Sequence, residues 1–307
     1  MKITRREFTK RVGEIGVGSI IALAGCSPHD GDKGVANATG GKRSTDGKSN
    51  LRRLGDTDLD LSTVGFGAQH THDPDLIRYA LDQGINHIET SWLYSMGGRV
   101  DSCKVIGKAI TGRRDSVCLA VAYEAMMPPG NKFWLPNQFE QTLRELGTDH
   151  IDIFLWHHPG DQDQPPKRSL KECQAMITAG ERVDLMLKWK AEGKLRWCGV
   201  TFHDEQVEWL KFVGESGLYN VAVVAFNYNS PKKIVNALRQ AARKRIGIIA
   251  MKTQSPNYLQ TATIGDAPDH RKALAWVLSK DYITAAIPGM TTRNQVDLNL
   301  QTMHSAV

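Results

Sequence analysis

The sequence lacks three features that would place it in common functional classes. No apolar run reaches the roughly 18 residues that a membrane-spanning helix needs, because Glu14 interrupts the apolar stretch near the amino terminus. The five cysteines form no CxxC pair, which argues against an iron–sulfur cluster or a zinc knuckle. Of the net charge of +6, residues 1–25 carry +3 and residues 27–50 carry +1, so the remaining +2 argues against a nucleic-acid-binding surface.

The first 26 residues have the order of charged, apolar and small residues that is typical of an export signal. Arg5 and Arg6 precede the apolar stretch, which is the pattern read by the twin-arginine export machinery. The segment Leu23–Cys26 resembles the bacterial lipoprotein processing site, so Cys26 is expected to become the lipidated first residue of the mature protein. We therefore predict a periplasmic or otherwise extracytoplasmic lipoprotein, anchored to the membrane through Cys26.

The remaining chain divides into a short linker and one domain. Residues 27–50 are rich in Gly, Ser, Asp, Asn and Lys and contain almost nothing to bury, which is typical of a flexible tether. Residues 51–307 have a length of 257, close to the roughly 250 residues of a single barrel domain. The expected organisation is a signal (1–26), a tether (27–50) and a barrel (51–307).

Eight short apolar runs recur along this domain, separated by stretches with helical periodicity. Such alternation predicts parallel strands joined by right-handed crossovers, and hence an α/β fold of the (β/α)8 TIM-barrel type. The competing doubly wound nucleotide-binding fold is rejected, because GFGAQH (65–70) has His70 where a GxGxxG loop needs its third glycine. The runs are 62–68, 86–91, 116–123, 151–158, 196–203, 220–227, 246–253 and 283–289.

Two of these runs end in residues that are able to transfer protons. The second run is followed by Tyr94 and contains Glu89, and the fourth ends in His157 and His158. Polar groups at the carboxyl ends of successive strands are what a (β/α)8 barrel uses to build an active site. These residues therefore mark the predicted site.

The same stretches resemble the aldo-keto reductase family. The resemblance is carried by the segment 88–95, by LGTDHIDIFLWHHP (146–159) and by the matching segments RRLGDTDLDLSTVGFGA, EGKLRWCGVT and AAIPGM. It implies that a small-molecule carbonyl or hydroxyl group is the substrate. It also implies that Tyr94 is the general acid, that His157 orients the carbonyl oxygen and that Glu89 stands where the family has aspartate.

One of the family's four catalytic groups is missing. The lysine that ends the third strand in the family is matched by Ala122. A neighbouring ammonium group brings a tyrosine, whose ordinary pKa is roughly 10, closer to working pH, so its loss makes Tyr94 a weaker acid. Lys252, at the end of the seventh run, is a candidate replacement, although it would serve equally in an ion pair with Glu89 or in binding an anion.

The resemblance also implies NADPH as the cofactor, held across the barrel mouth. Several positions depart from the family pattern here too, since Ala225 replaces a glutamine, and Gln295 and Leu298 replace a common arginine and glutamate. We therefore expect weakened or lost use of NADPH. The residues predicted to bind it are Thr201, Asn229, Lys252, Thr291, Thr292, Arg293 and Asn299.

Two alternatives remain open from the sequence. Histidines and a carboxylate converge on the same rim and are suitable ligands for a divalent metal, which would make the protein a metal-dependent barrel enzyme. The second alternative is a membrane-tethered binding protein that kept the scaffold and lost turnover. The candidate metal ligands are His70, His72, Glu89, His157 and His203.

Overall fold

The computed structural model describes residues 50–95, 101–125, 127–157, 169–254 and 269–305. The predicted signal, the lipidation site Cys26, the tether up to residue 49 and His158 all lie outside these ranges. Within the described ranges, no helix is both long enough and apolar enough to cross a membrane.

Within these ranges, ten strands form two sheets. A short antiparallel hairpin joins β1 to β2, with Leu51 opposite Ser62. The other eight strands form one sheet in which each strand is parallel to the next along the chain. The strands are β1 (Leu51–Arg53), β2 (Asp60–Ser62), β3 (Phe66–Gly67), β4 (His87–Ser91), β5 (Cys118–Glu124), β6 (Ile151–His157), β7 (Leu195–Phe202), β8 (Val221–Ala225), β9 (Gly247–Met251) and β10 (Ala285–Ala286).

The eight-stranded sheet closes on itself. Val64 bridges Ala286, and Gly67 bridges Gly289, both in the parallel sense. The Gly65 amide donates to the Ala286 carbonyl at 2.8 Å, and the Ala286 amide donates to the Thr63 carbonyl at 2.9 Å. The eight strands coincide with the eight predicted runs, which confirms the (β/α)8 barrel. The first and last strands are shorter than expected because isolated bridges, rather than a continuous ladder, close the barrel.

Helices connect successive strands, and local sequence explains where they begin and end. The Asp73 side chain caps the first helix by accepting from the Asp75 amide at 2.8 Å, and Pro74 occupies its first turn. The third helix ends at Gly147, whose left-handed backbone (φ 65°) suits glycine. The helices are α1 (Pro74–Asp82), α2 (Ser102–Ile110), α3 (Leu135–Leu146), α4 (Leu170–Met176), α5 (Glu181–Ala191), α6 (Gln206–Ser216), α7 (Lys232–Arg243), α8 (His270–Leu278) and α9 (Arg293–Ser305).

The hairpin closes the amino-terminal end of the barrel. Leu54, Leu59 and Leu61 belong to the same buried apolar cluster as Ile153 and Val221 from the barrel interior. The sequence reading did not predict this hairpin, because its strands have only three residues each. With the amino-terminal end filled, the opposite, carboxyl-terminal end is left as the place for a site.

An ionic network centred on a buried aspartate ties the hairpin to the barrel at the same end. Asp152 is 3% exposed and pairs with Arg114 at 2.9 Å and with Arg196 at 2.7 Å. Arg196 also reaches Asp58 of the hairpin at 2.9 Å. These charges therefore have a structural role, away from the carboxyl ends of the strands.

Candidate active site

Glu89 lies inside the barrel, near the carboxyl end of β4. It is 8% exposed and sits in register between Gly67 and Ala120. Residues in register on neighbouring strands point to the same face of a sheet, and Ala120 belongs to the interior cluster. The Glu89 carboxylate therefore points into the barrel interior.

The charges of two side chains, His157 and Lys252, act on the Glu89 carboxylate. Burial raises the pKa of Glu89 to about 7, while the charges of His157 and Lys252 oppose the rise. Burial lowers the pKa of Lys252, and the charge of Glu89 opposes that change. The structure thus brings together Glu89 from β4, His157 from β6 and Lys252 from the end of β9, at the end of the barrel where sequence reasoning placed the site.

Lys252 has an unusual backbone. Its φ of 56° lies in the left-handed region, which costs a residue with a side chain on the order of 1 kcal/mol. The Asn227 side-chain amide donates to the Lys252 carbonyl at 3.1 Å and helps to hold this conformation. Strained residues that a fold maintains cluster at functional sites, so Lys252 is a candidate functional residue on backbone grounds as well.

His157 has a carboxylate partner that sequence reasoning missed. Its Nδ1 lies 2.7 Å from Oε1 of Glu124, and the two side chains are 20% and 12% exposed. The two residues are in register on the neighbouring strands β5 and β6. The sequence did contain a signal for Glu124. It is an acidic residue directly after the apolar run 116–123, and a position at the end of a predicted strand is also what identified His157.

Tyr94 lies in a one-turn 3₁₀ helix, Trp92–Ser95, that directly follows β4. The Leu93 amide donates to Oγ of Ser91 at 3.2 Å, and that hydroxyl donates to the Ala122 carbonyl at 3.3 Å. The turn that carries Tyr94 is therefore tied to β5 at the carboxyl ends of the strands. Tyr94 itself is partly buried.

Ala122 is fully buried in the interior cluster. It is in register between Ser91 and Leu155. Its methyl group faces the interior. Ala122 lies two residues beyond Ala120 on β5, which is one interior layer closer to the carboxyl end than the layer of Glu89. A lysine side chain at this position would enter the barrel beside Ser91. In this chain β5 contains no lysine, so it supplies no ammonium group there.

The predicted cofactor residues lie on several elements at this end. Thr201, on β7, is buried and its hydroxyl lies 4.0 Å from the Met251 sulfur. The Asn229 amide donates to the Asn227 side chain at 3.0 Å in the loop after β8. Asn299, on α9, accepts at 2.8 Å from the Gln254 side chain.

Some polar atoms in this region are buried and have no hydrogen-bond partner among the described residues. They are Nδ2 of Asn299 and Oγ1 of Thr253. A buried donor or hydroxyl without a partner costs about 1–3 kcal/mol, so these atoms fit a role in holding a polar group. This is the observation that best matches a bound nucleotide.

The start of α9 is less open to a phosphate than the sequence suggested. The Gln295 side chain accepts from the Thr291 amide at 2.7 Å and from the Thr292 amide at 3.2 Å. The Gln295 amide in turn donates to the Thr292 hydroxyl at 3.3 Å, which completes a capping box. Arg293 lies with its guanidinium 5.0 Å from the ring centre of Tyr79.

The metal alternative is not supported. Among the side chains that the structure describes, no group of three or more His, Cys, Asp or Glu is placed to hold a metal ion. His70 and His72 are exposed after β3, whereas Glu89 is buried inside the barrel. His157 turns Nδ1 toward Glu124, and His203 completes no such group with these residues.

Comparison with known proteins identifies matching families and folds. Residues 68–268 match the model of the family described as the aldo/keto reductase family. The methylglyoxal reductase YeaE of Escherichia coli is 28% identical over 267 residues, covering 79% of this chain and 85% of that protein. The L-glyceraldehyde 3-phosphate reductase of Escherichia coli is 20% identical over 311 residues, covering 84% and 89%.

Solved structures show the same fold. A putative aldo-keto reductase from Pseudomonas aeruginosa has a TM-score of 0.64 at 22% identity, covering 83% of this chain and 95% of that one. An aldo/keto reductase from Klebsiella pneumoniae, solved in complex with NADP and acetate, has a TM-score of 0.62 at 23% identity, covering 83% and 90%.

Proposed function

The chain belongs to the aldo/keto reductase family, and on that premise we propose that it interconverts a carbonyl and a hydroxyl group on a small molecule. The observation that carries this proposal is the convergence of Glu89, His157 and Lys252 at the carboxyl ends of the strands. A buried carboxylate held near a histidine and a lysine is the kind of charge network that tunes proton transfer.

In the proposed reaction, Tyr94 and His157 hydrogen-bond to the carbonyl oxygen of the substrate. A reduced nicotinamide supplies hydride to the carbonyl carbon when it is bound, and a proton must reach the oxygen. Glu89 and Lys252 set the electrostatic potential beneath these groups, with Lys252 as the cation in place of the lysine that Ala122 replaces.

The substrate class that we propose is a short aldehyde. Two relatives are named for such substrates, methylglyoxal and L-glyceraldehyde 3-phosphate. Both molecules carry an aldehyde next to a second oxygen function. Short 2-oxo- and 2-hydroxyaldehydes are therefore the first substrates to assay.

We propose NADPH as the cofactor, bound more weakly than the family pattern implies. Asn299 and Thr253 have buried polar atoms that fit a nucleotide, which supports binding. Gln295 engages the Thr291 and Thr292 amides, which are the donors proposed for a phosphate, and this supports weakening. The other proposed contacts are Thr201, Asn229, Lys252 and Arg293.

Titration of the purified protein with NADPH, followed through tryptophan fluorescence, tests this proposal. Trp92 is the first residue of the turn that carries Tyr94, and it is buried against Phe133 with the ring centres 5.5 Å apart. We expect saturable quenching, with a Kd above the micromolar range. A flat titration up to millimolar nucleotide, for a protein shown to be folded by circular dichroism, would contradict the reductase and favour the binding-protein alternative.

We also propose that the protein acts outside the cytoplasm as a lipoprotein. The support is the twin-arginine pattern at Arg5 and Arg6, the processing-site resemblance at Cys26 and the polar tether that follows. Twin-arginine export carries folded proteins, so the barrel would be able to close around its nucleotide before export.

A further inference from the structure

The pairing of Glu124 with His157 has no counterpart in the family roles assigned so far. The Glu124 Oε1 atom lies 2.7 Å from Nδ1 of His157. The contact is an ion pair and not a hydrogen bond, because Oε1 of Glu124 has no hydrogen-bond partner among the described residues. Neither side chain is fully exposed, with values of 12% for Glu124 and 20% for His157. In such partial burial an ion pair is screened less by water than it would be on the surface.

Glu124 is held in place by a buried glutamine on α3. The Glu124 amide donates to Oε1 of Gln138 at 3.1 Å, and Nε2 of Gln138 donates back to the Glu124 carbonyl at 3.3 Å. The same Nε2 donates to the Phe133 carbonyl at 2.7 Å, and Gln138 is fully buried. The end of β5 is therefore fixed next to β6 by side-chain bonds as well as by the sheet ladder.

Two carboxyl groups act on His157, and a lysine acts on one of them. Glu124 approaches from β5, Glu89 interacts with it from β4, and Lys252 acts on Glu89 from the end of β9. Thr201 on β7, in register with His157, adds no charge. Two carboxyl groups thus face the imidazole, and the ammonium group interacts with the more deeply buried of them. The carboxyl group in direct contact with the imidazole is therefore that of Glu124.

We propose that Glu124 is a positioning residue that keeps His157 protonated, and that the His157 imidazolium is the acid of this active site. The resemblance assigns that proton to Tyr94, whose acidity depends on a lysine that Ala122 replaces. An imidazole paired with a carboxylate through Nδ1 presents its Nε2 proton on the opposite side of the ring. This inference rests on the proposed function and names the source of its proton.

The step balances without any further reactant. Hydride from a reduced nicotinamide forms the new C–H bond, and the carbonyl π electrons move to oxygen. The Nε2–H bond of His157 breaks as the O–H bond of the alcohol forms, which leaves neutral His157 with its Nδ1 proton still on the Glu124 side. In the oxidation direction, neutral His157 accepts the hydroxyl proton and the nicotinamide accepts the hydride.

The charge state of His157 is tested first in the protein without nucleotide. Histidine-labelled wild type, Glu124→Gln and Glu124→Asp are titrated by NMR, with His157→Gln used to assign the signal. Loss of a carboxylate charge at this distance should lower the midpoint of the His157 titration by about one pH unit or more in Glu124→Gln. Glu124→Asp should restore most of the shift. An unchanged midpoint in folded Glu124→Gln overturns the inference, whatever the activity of the protein.

The role as acid is tested by kinetics with NADPH and methylglyoxal. We expect His157→Gln to lower kcat by at least about a hundredfold, and Tyr94→Phe to lower it less. Glu124→Gln should shift the pH profile of kcat/KM in the same direction as the NMR midpoint. A greater loss in Tyr94→Phe than in His157→Gln overturns the inference. Absence of turnover in the wild type overturns the proposed function together with the acid role. An unchanged His157 titration overturns the inference alone and leaves the proposed function standing.

Discussion

At the scale of single residues, two buried titratable groups on β4 respond to burial in opposite directions. Glu89 has its pKa raised to about 7 from 4.5, and His87 has its pKa lowered to about 3 from 6.5. His87 is 1% exposed, and neither ring nitrogen has a hydrogen-bond partner among the described residues. A Cβ atom on Gly65 would lie 2.0 Å from its Nε2, so the missing side chain at Gly65 is what leaves room for the imidazole.

These shifts predict how stability depends on pH. Since folded Glu89 binds its proton more tightly than the unfolded chain does, its contribution is complete below pH 4.5 and is lost as the pH rises through about 7. His87 contributes fully above pH 6.5, and that contribution is lost as the pH falls toward about 3. The two slopes oppose each other between pH 4.5 and 6.5, so the wild type should be nearly flat there.

Urea unfolding of single variants between pH 4 and 8 separates the two groups. In Glu89→Gln, the free energy of unfolding should rise with pH up to about 6.5, because the titration of His87 remains. In His87→Leu, the free energy of unfolding should fall by roughly 3 kcal/mol between pH 4.5 and 7, because only the titration of Glu89 remains. Lys252→Met should move the Glu89 step to higher pH, because a cation that lowers its pKa is removed. Parallel curves for all variants would contradict these assignments.

At the scale of elements, the start of α9 shows a competition between helix capping and ligand binding. Gln295 and Thr292 form a capping box, which stabilises the helix by satisfying amides that would otherwise lack partners. The same amides and the positive end of the helix dipole are what a phosphate would use. In this chain the glutamine occupies them, at a position where the family commonly has an arginine.

Replacing Gln295 should alter nucleotide affinity and stability separately. Gln295→Arg frees the Thr291 and Thr292 amides and adds a cation, so the Kd for NADPH should fall about tenfold, as for one charge-assisted hydrogen bond. The matched control is Gln295→Met, which frees the amides without the charge. Both variants should lose about 1 kcal/mol of stability with the cap. NADPH affinities that stay at the wild-type value in both Gln295→Arg and Gln295→Met, measured by fluorescence titration, would show that the phosphate does not reach α9.

At the scale of the whole molecule, we propose that the barrel carries the active site and that the segment before it serves in export and anchoring. The barrel keeps its structural charges at the amino-terminal end, with Asp152, Arg114 and Arg196 beneath the hairpin, and its candidate active site at the other end. The tether predicted before Leu51 would join the barrel on the hairpin side, since Leu51 begins β1.

Cell fractionation tests the proposed anchoring. The wild type should be found with membranes and should incorporate a labelled fatty acid, because a lipid on Cys26 supplies the hydrophobic attachment. Cys26→Ser should lose the label and the membrane association. Lysines in place of Arg5 and Arg6 should leave the precursor in the cytoplasm. Export and membrane association that survive all of these changes would contradict the lipoprotein proposal.

The sequence by itself determined the barrel and predicted the end of it at which the candidate site lies. Eight apolar runs matched eight strands, and His157 ends β6 while Tyr94 follows β4, because periodicity and strand-end position are local properties of a chain. Only the tertiary structure decided which partners these residues meet. Glu124 reaches His157 through the register of β5 on β6, and Gln295 folds back on Thr291 and Thr292. Such pairings depend on distances across the barrel mouth or around a helix end, which spacing along the sequence does not encode.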